Sequence, residues 1–241
     1  MMRKSLAIAF ICLLSVPAFA QEYDMKKAPV VRNKLNFRAG RHELSPGFGM
    51  TLSDSYFRNI IMSVSYDYHA MDWLNFGITG GYALPIKTGL AQNIEDEKTT
   101  DTAAYSIPAT HLGVVANAHV GFTPLSGKFL LVGAAVVHYD LHLMGGVGTL
   151  QVLWNSEAAG DVAADDEFVI APVFGGGIRF FVDRGISISV DVVDYFGNMY
   201  TAAKDDLPGE VTPPDRNWTH NMAAMLTVNF FLPFTIKAEE D

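Results

Sequence analysis

The amino-acid sequence predicts an all-β protein, an eight-stranded antiparallel transmembrane β-barrel. Between Arg41 and Leu232, eight stretches alternate apolar residues with polar or small ones, the period-two pattern of strands with two unlike faces. Some connections between the stretches are very short and others are long, as expected when one rim of a barrel faces a confined compartment. Hydrophobic residues make up 49% of the chain and charged residues only 18%, so a lipid-facing exterior explains the apolar surplus.

The first twenty residues have the features of a secretory signal peptide. Arg3 and Lys4 supply a positive region, Ser5–Val16 an apolar core too short to span a membrane with ease, and Ala18–Ala20 a small-residue cleavage site. Cleavage removes the only cysteine, Cys12, and changes the formal net charge from −9 to −11, because Arg3 and Lys4 leave without any acidic residue. Such acidity argues against a nucleic-acid partner, which requires a basic face.

After the signal peptide (1–20), we expect three parts. Residues 21–40 form a periplasmic N-terminal segment, residues 41–232 the outer-membrane barrel, and residues 233–241 a periplasmic tail. The longest apolar run is Phe129–Val137, well short of the roughly 18–20 residues that a membrane helix requires. The sequence therefore predicts spanning by strands and localisation in the outer membrane.

In the first three stretches, the apolar residues are expected to face lipid and the residues between them the lumen. The outward positions are His42, Leu44, Pro46, Phe48, Met50 and Leu52; Ile60, Met62, Val64, Tyr66 and Tyr68; and Leu74, Phe76, Ile78 and Tyr82.

The remaining five stretches repeat this pattern less cleanly. Their outward positions are Leu112, Val114, Val120 and Phe122; Phe129, Leu131, Tyr139 and Leu141; Phe168, Ile170, Phe174, Ile178 and Phe180; Ile186, Ile188, Val190 and Val192; and Met222, Leu226, Val228 and Phe230.

The connections predict which rim faces the periplasm. Tight connections are expected at Ala70–Asp72, Thr123–Gly127 and Asp183–Gly185, and long acidic ones at Pro85–Pro108, Met144–Asp166 and Gly197–Arg216. With the short connections in the periplasm, aromatic residues sort into two interfacial girdles. The periplasmic girdle comprises Tyr66, Tyr68, Phe122, Phe129, Phe180 and Phe230, and the outer girdle Tyr56, Tyr82, Tyr139, Phe168, Phe196 and Trp218.

Three features fit eight regular strands poorly. Pro46 and Pro172 fall inside proposed strands, so we expect bulges there or a strand that begins later. The connection Ser53–Phe57 is short for the outer rim. Val147–Trp154 has the composition of an added hairpin arm, which leaves a ten-stranded barrel as the alternative.

The segment around the first strand resembles a known family. Val31–Leu35, then Gly40–Pro46 with Phe48-Gly49, and later Tyr66–His69 with Trp73, are similar to the small outer-membrane β-barrel domain family of the myxobacterial type. The resemblance covers most of the mature chain and is densest over residues 31–82. It implies an outer-membrane barrel, in some members part of envelope complexes associated with gliding motility, and it implies no catalytic motif.

Inward positions hold charged and titratable residues that are candidates for a barrel-interior polar cluster. In a lumen only wide enough for side chains, these groups are expected to pair as a structural plug, with a proton or ion path as the alternative. The candidates are Arg41, Glu43, Asp67, His69, His111, His119, Glu167, Arg179 and Asp191.

His138, Asp140 and His142 lie on one face of a strand and are weak candidates for a metal site. Imidazole and carboxylate suit zinc or a similar ion, but their spacing along a strand leaves a fourth ligand to come from elsewhere. We therefore predict no metal and no cofactor.

Enzymatic activity is not expected. A lipid-hydrolysing site requires a serine beside a histidine base, and His220 has no serine near it in the sequence. Asp194 and His220 qualify for a protease-like site by position alone.

Two charged regions bear on partners. The long connections hold twelve acidic residues without the spacing of a calcium loop, as expected for a solvated rim. Residues 21–40 are the one basic stretch, expected at the periplasmic mouth as a partner-binding arm or a plug. Its candidate residues are Lys26, Lys27, Arg32, Lys34 and Arg38.

Together these features predict a non-enzymatic outer-membrane barrel that acts as an anchor or scaffold in a cell-envelope assembly. Its partners are outer-membrane lipid and envelope proteins. A narrow pore or transport accessory is the alternative, and a lipid-modifying enzyme the third.

Overall fold

The computed structural model of the chain describes residues 38–99, 107, 109–131, 135–154, 166–200, 204–207, 210–212 and 216–233. The chain divides into two compact units, Met1–Leu35 and Asn36–Asp241, and the first lies wholly outside the described residues. The predicted signal peptide, four of the five candidate partner-binding residues and the tail after Pro233 also lie outside them.

The described elements are ten strands and one helix: β1 His42–Thr51, β2 Phe57–Met71, β3 Leu74–Lys87, α1 Gly89–Lys98, β4 Thr110–Leu131, β5 Ala135–Trp154, β6 Glu167–Phe181, β7 Ile186–Tyr200, β8 Lys204–Leu207, β9 Glu210–Thr212 and β10 Arg216–Leu232. Eight of the strands form a closed antiparallel barrel in the order β1-β10-β7-β6-β5-β4-β3-β2, which confirms the predicted fold class. The other two, β8 and β9, pair as a separate two-stranded sheet.

The strands are staggered around the ring. His42 pairs with Tyr68, and the path of paired residues runs through each strand to Met222 on β10. The carbonyl oxygen of Met222 accepts a hydrogen bond from the Leu52 amide, so the path returns to the far end of β1. Such a stagger is what tilts strands in a closed barrel and sets its width.

We call the two ends of the barrel the turn rim and the loop rim. The turn rim holds the β2–β3 and β6–β7 connections, Asp72–Trp73 and Val182–Gly185, and the β4–β5 connection. The loop rim holds Leu52–Tyr56 and the three long connections. One of these contains α1, which begins after Thr88 and packs Ala91 against Phe57 and neighbouring apolar residues.

The barrel exterior carries a continuous band of exposed apolar side chains. Phe48 is 59% exposed, Ile78 60% and Ile170 76%, and all three occupy predicted outward positions. An apolar band around a closed strand ring is the arrangement that a bilayer requires, because every backbone hydrogen bond is made within the ring. No helix among the described residues is long and apolar enough to cross a membrane.

The predicted tight connection at Thr123–Gly127 is wrong. β4 continues through these residues to Leu131 and pairs with β5 down to Ala135. The register shifts between Phe122 and Leu125, so Pro124 lies in a β-bulge. Since proline has no amide hydrogen for the ladder, a bulge accommodates it without ending the strand.

The extension of this hairpin changes three further predictions. Val147–Trp154 forms the second half of β5 and pairs with both β4 and β6, so the barrel has eight strands and the ten-stranded alternative falls. Met144–Trp154 is therefore strand and not loop. Tyr139 was predicted in the outer girdle but lies at the turn rim, because its ring is 5.9 Å from that of Phe129.

Neither strand proline makes a bulge, contrary to expectation. The β1–β2 and β5–β6 registers run through Pro46 and Pro172 without a shift. The β6–β7 pairing begins at Val173, so Pro172 lies beyond that ladder. A bulge does occur between Leu112 and Val115 in β4, and it turns Leu112 inward, where an outward position was predicted.

Candidate functional site: the barrel interior

The barrel interior divides into two chemically distinct halves. The half next to the turn rim holds charged and hydrogen-bonding side chains, which we call the polar network. The half next to the loop rim holds an apolar core. The polar network comprises Arg38, Glu43, Asp67, His69, His119, Asp140, His142, Arg179 and Asp191, and the apolar core comprises Ile61, Ala83, Leu112, Val115, Leu150, Val152, Val169, Ala171, Val173, Tyr195, Met199, Ala223 and Met225.

Glu43 on β1 is bonded from two walls of the barrel. Its side chain is 2% exposed, and its Oε2 lies 2.6 Å from His69 Nε2 on β2. Its Oε1 lies 3.0 Å from the Arg179 guanidinium on β6 and accepts a hydrogen bond from the Ser45 hydroxyl at 3.1 Å. A buried carboxylate with this many partners is compensated for its loss of hydration.

Asp67 and His119 form the second pair of the polar network. His119 Nε2 lies 3.1 Å from Asp67 Oδ1, and Asn75 donates to the same oxygen at 2.6 Å. The other ring nitrogen of His119 lies 2.8 Å from Asn117 Oδ1. Asn117 in turn donates to the Tyr195 hydroxyl at 2.7 Å, which connects the polar network to the edge of the apolar core.

His142 on β5 joins a carboxylate of its own strand, Asp140, to one on β7, Asp191. Its Nε2 lies 2.6 Å from Asp191 Oδ1, and its Nδ1 lies 3.6 Å from Asp140 Oδ1. Asp191 also accepts from the Ser189 hydroxyl at 2.9 Å and faces Thr227 at 3.5 Å. The carboxylates of this group are therefore held by side chains of three strands.

Arg38 enters the polar network from outside the strands. Its Nη1 donates to Asp140 Oδ2 at 2.5 Å and lies 3.4 Å from the Thr123 hydroxyl. Its Nη2 donates to the carbonyl oxygen of Asp72 at 2.7 Å, and the amides of Arg38 and Ala39 both donate to Asp72 Oδ1. Arg38 is only 5% exposed, so the structure places this candidate partner-binding residue inside the barrel at the turn rim.

Arg41 closes the opposite side of the turn rim. Its guanidinium donates to the carbonyl oxygens of Arg184, Phe231 and Pro233 at 2.9–3.0 Å. It lies 5.1 Å from the centre of the fully buried Phe231 ring, and Arg179 lies 5.5 Å from the same ring. A phenyl ring between two guanidinium groups gains cation–π attraction from both.

Two residues predicted for the polar cluster lie apart from it. His111 is near the loop rim with its ring 5.7 Å from that of Phe57, and its Nδ1 is buried without a hydrogen-bond partner among the described residues. Glu167 lies at the loop rim and pairs with Arg216 at 2.6 Å. His111 is the second residue of β4 and Glu167 the first of β6, so both lie at the loop rim and not in the turn-rim half.

The three weak metal candidates do not converge. Asp140 is fully buried and bonded to Arg38, His142 is bonded to Asp191, and His138 is half-buried two residues nearer the turn rim. A guanidinium at the carboxylate occupies the place that a cation would take. The described residues contain no group of three or more ligands positioned for a metal ion.

A small cavity of about 110 Å³ lies between the two halves of the interior. Its walls include Glu43, Asp67, His142, Asp191 and Tyr195, together with several serine and threonine hydroxyls. A cavity of this size and polarity has room for several water molecules with multiple hydrogen-bond partners. We call it the polar chamber.

One ionisable pair lies on the lipid-facing side. His220 Nδ1 is 2.6 Å from Asp194 Oδ2, and the His220 ring packs 4.5 Å from that of Phe196 near Trp218. The structure brings Ser53 to this histidine, which the sequence did not indicate. Its hydroxyl, however, donates to the His220 main-chain oxygen at 3.0 Å and accepts from the Met222 amide.

The comparisons with known proteins give structural likenesses and no family. No protein family and no curated protein matches the sequence. The N-terminal β-barrel domain of Pseudomonas aeruginosa OprF has a TM-score of 0.46 and 10% identity, over 80% of this chain and 98% of that one.

Two further solved barrels are similar. Neisserial surface protein A (NspA) has a TM-score of 0.42 and 12% identity, over 80% of this chain and 97% of that one. Ail, the attachment invasion locus protein of Yersinia pestis, has a TM-score of 0.37 and 11% identity, over 80% and 99%. Because these scores are low, the identification as an outer-membrane β-barrel depends on the chain's own strand ring and apolar band.

Proposed function

We propose that this outer-membrane barrel is a non-conducting anchor or scaffold in a cell-envelope assembly. The observation that supports it best is the apolar core across the loop half of the interior. Leu150, Val173 and Ala171 are at most 1% exposed there, and eight-stranded barrels are only wide enough for side chains to fill. An interior filled in this way offers ions no hydrated path, so the exterior and the rims are left to carry function.

The loop rim offers a surface for such a role. Helix α1 is ordered against the barrel by Ala91 and by a salt bridge from Lys87 to Glu95 at 2.9 Å. Leu90 in the first turn of this helix is 53% exposed, and the last turn carries the exposed acidic residues Asp96 and Glu97. An exposed leucine on a fixed, charged helix suits contact with another envelope protein. The resemblance to the myxobacterial-type family points to the same kind of assembly and stands as part of this proposal.

Two measurements test the proposal. In planar bilayers, the purified protein is expected to give no steady ionic current. A photo-crosslinking residue at Leu90 is expected to capture envelope proteins, while the same residue at the lipid-facing Ile170 is expected to label lipid alone. Steady current, or identical products at the two positions, contradicts the proposal.

A narrow pore is the second candidate, favoured by the polar chamber and its titratable walls. The bilayer measurement separates it from the scaffold, since only a pore gives current in the native protein.

We further propose that the barrel is not an enzyme. The Ser53 hydroxyl is engaged by main-chain groups and is not bonded to the His220 ring. Membrane lipid composition is therefore expected to be unchanged by overproduction, both for the native protein and for His220→Ala. A lipid change that His220→Ala abolishes overturns this proposal in favour of a lipid-modifying enzyme.

A further inference from the structure

We propose that Arg38 is a latch that closes the polar chamber at the turn rim. This inference concerns access to the interior and does not depend on the scaffold role. The two ends of the chamber are closed in different ways.

Toward the loop rim, the chamber ends at the apolar core. Val115, Val173 and Met225 are buried residues of that core, and each belongs to a barrel strand. Closure on this side is therefore part of the fold, and it persists for as long as the barrel does.

Toward the turn rim, the wall residues Thr123 and His142 are backed by a residue outside the strands, which contacts Thr123 directly and His142 through Asp140. Arg38 precedes β1, yet its side chain reaches the β2–β3 turn, β4 and β5 at once, through Asp72, Thr123 and Asp140. Asp72 also accepts from the amides of Arg38 and Ala39, so backbone and side chain are fixed together. No barrel hydrogen-bond ladder has to break for Arg38 to leave.

Departure of Arg38 opens the chamber on one side only. The β1, β6 and β10 side stays covered by Arg41 and Phe231, which are 3% and 0% exposed. On the other side, Asp140 loses its guanidinium partner and His142 behind it comes within reach of water. The structure thus combines a permanent seal at one end with a releasable contact at the other.

Cysteine accessibility tests the latch directly. Cys12 is the only native cysteine, so a single introduced cysteine reports alone in a Cys12→Ser background. Ser65→Cys places a thiol in the chamber wall, and Leu150→Cys places one in the apolar core. Asp183→Cys places one on the exposed turn rim. The probe is a small charged methanethiosulfonate reagent, applied to the full chain in detergent and in vesicles.

With Arg38 present, Asp183→Cys is expected to react rapidly and the other two slowly. In Arg38→Gln, the Ser65→Cys rate is expected to rise by about tenfold or more, because reaction of a closed site is limited by local opening. The Leu150→Cys rate is expected to stay low, and Arg38→Lys, which keeps the charge, is expected to restore much of the protection. Asp140→Asn removes the latch from the barrel side and is expected to act like Arg38→Gln.

Three results overturn the latch. The first is a Ser65→Cys rate that is already rapid in the native background. The second is a rate unchanged by both Arg38→Gln and Asp140→Asn. The third is an equal rise at Leu150→Cys, which indicates general loosening of the barrel. Heat-modifiable gel migration verifies folding of each variant, and Asp140→Asn carries the test if Arg38→Gln fails to fold.

Discussion

The two halves of the barrel interior solve the same packing problem with opposite chemistry. The polar network near the turn rim fills its space with ion pairs such as Arg179–Glu43, whereas the loop half fills it with aliphatic side chains such as Leu150. Buried ion pairs contribute little net stability, but they are costly to break one partner at a time. Buried aliphatic groups contribute steadily through their area and volume. The comparison suggests that the apolar half supplies stability and the polar half supplies specificity of pairing.

The largest expected effect comes from breaking the polar half at its centre. Arg179→Ala leaves the buried Glu43 without its guanidinium partner at 3.0 Å and removes a positive charge that acts on Asp140 and Asp191. It is expected to destabilise the barrel by about 3–5 kcal/mol. Denaturant unfolding in detergent micelles measures the change. The matched control is Arg216→Ala at the loop rim. Arg216 also forms a salt bridge, to Glu167 at 2.6 Å, but its side chain is 46% exposed. There we expect a loss below about 1 kcal/mol, and equal losses contradict the contrast.

The next effect comes from the apolar half. Leu150 is 1% exposed, and Leu150→Ala is expected to cost about 2–4 kcal/mol through lost burial and the cavity that remains. The unfolding midpoint measures it. Leu143→Ala on the lipid-facing side of the same strand removes the same atoms from a side chain that is 49% exposed, so a smaller loss is expected. A larger loss at Leu143 shows that the interior core is not the main source of stability.

A double-mutant cycle sharpens the comparison further. Glu43→Gln, Arg179→Met and the double variant are expected to show a coupling energy of about 0.5–3 kcal/mol, since the two residues are in direct contact. A second cycle combines Leu150→Ala with Arg179→Met, two residues from different halves. Their changes in unfolding free energy are expected to add. Coupling of equal size in both cycles is inconsistent with two separate halves.

The last contrast is between two glycines of β3, one packed against the polar network and one with open space beside it. A Cβ atom at Gly77 overlaps Asp67 Oδ1 and His119 Nε2, so Gly77→Ala is expected to cost about 1–3 kcal/mol by overpacking the polar half. At Gly80, a Cβ atom has nothing within 4 Å, and Gly80→Ala is expected to stay within about 0.5 kcal/mol of the native protein. Thermal gel-shift midpoints of the two variants measure the difference. Equal midpoints contradict tight packing around Asp67 and His119.

The apolar half of the interior can be recognised in the sequence where apolar residues stop alternating with polar ones. In Phe168–Phe174 of β6, apolar residues occupy both parities, so Val169, Ala171 and Val173 face inward while Phe168, Ile170 and Phe174 face outward. Continuous apolar runs of this kind indicate strands that are buried or apolar on both faces. Val147–Trp154 also has apolar residues at both parities. The predicted alternative of an added hairpin arm is wrong for this stretch, because it is part of strand β5.

Two features of the structure could not be predicted from the neighbouring sequence: the continuation of β4 through Thr123–Gly127 and the burial of Arg38. Thr123–Gly127 contains a proline, a serine and a glycine in turn-like order, but the partner strand continues opposite it and a bulge takes up the proline. In the sequence, Arg38 is one of several basic residues in residues 21–40. Its burial is explained by its contacts with Asp140 and with the main chain of Asp72 at the β2–β3 turn.

From the sequence alone follow the alternation, the lipid-facing band and most of the inward positions, whereas the pairing of Val147–Trp154 with β4 and β6 decided the count of eight strands. These follow from neighbouring residues, because successive side chains of a strand project to opposite faces. Only the tertiary structure decided which inward groups meet: Glu43 with Arg179, His142 with Asp191, and Arg38 with Asp140. The partners are far apart in the chain, and the stagger with which the ring closes sets their heights in the barrel.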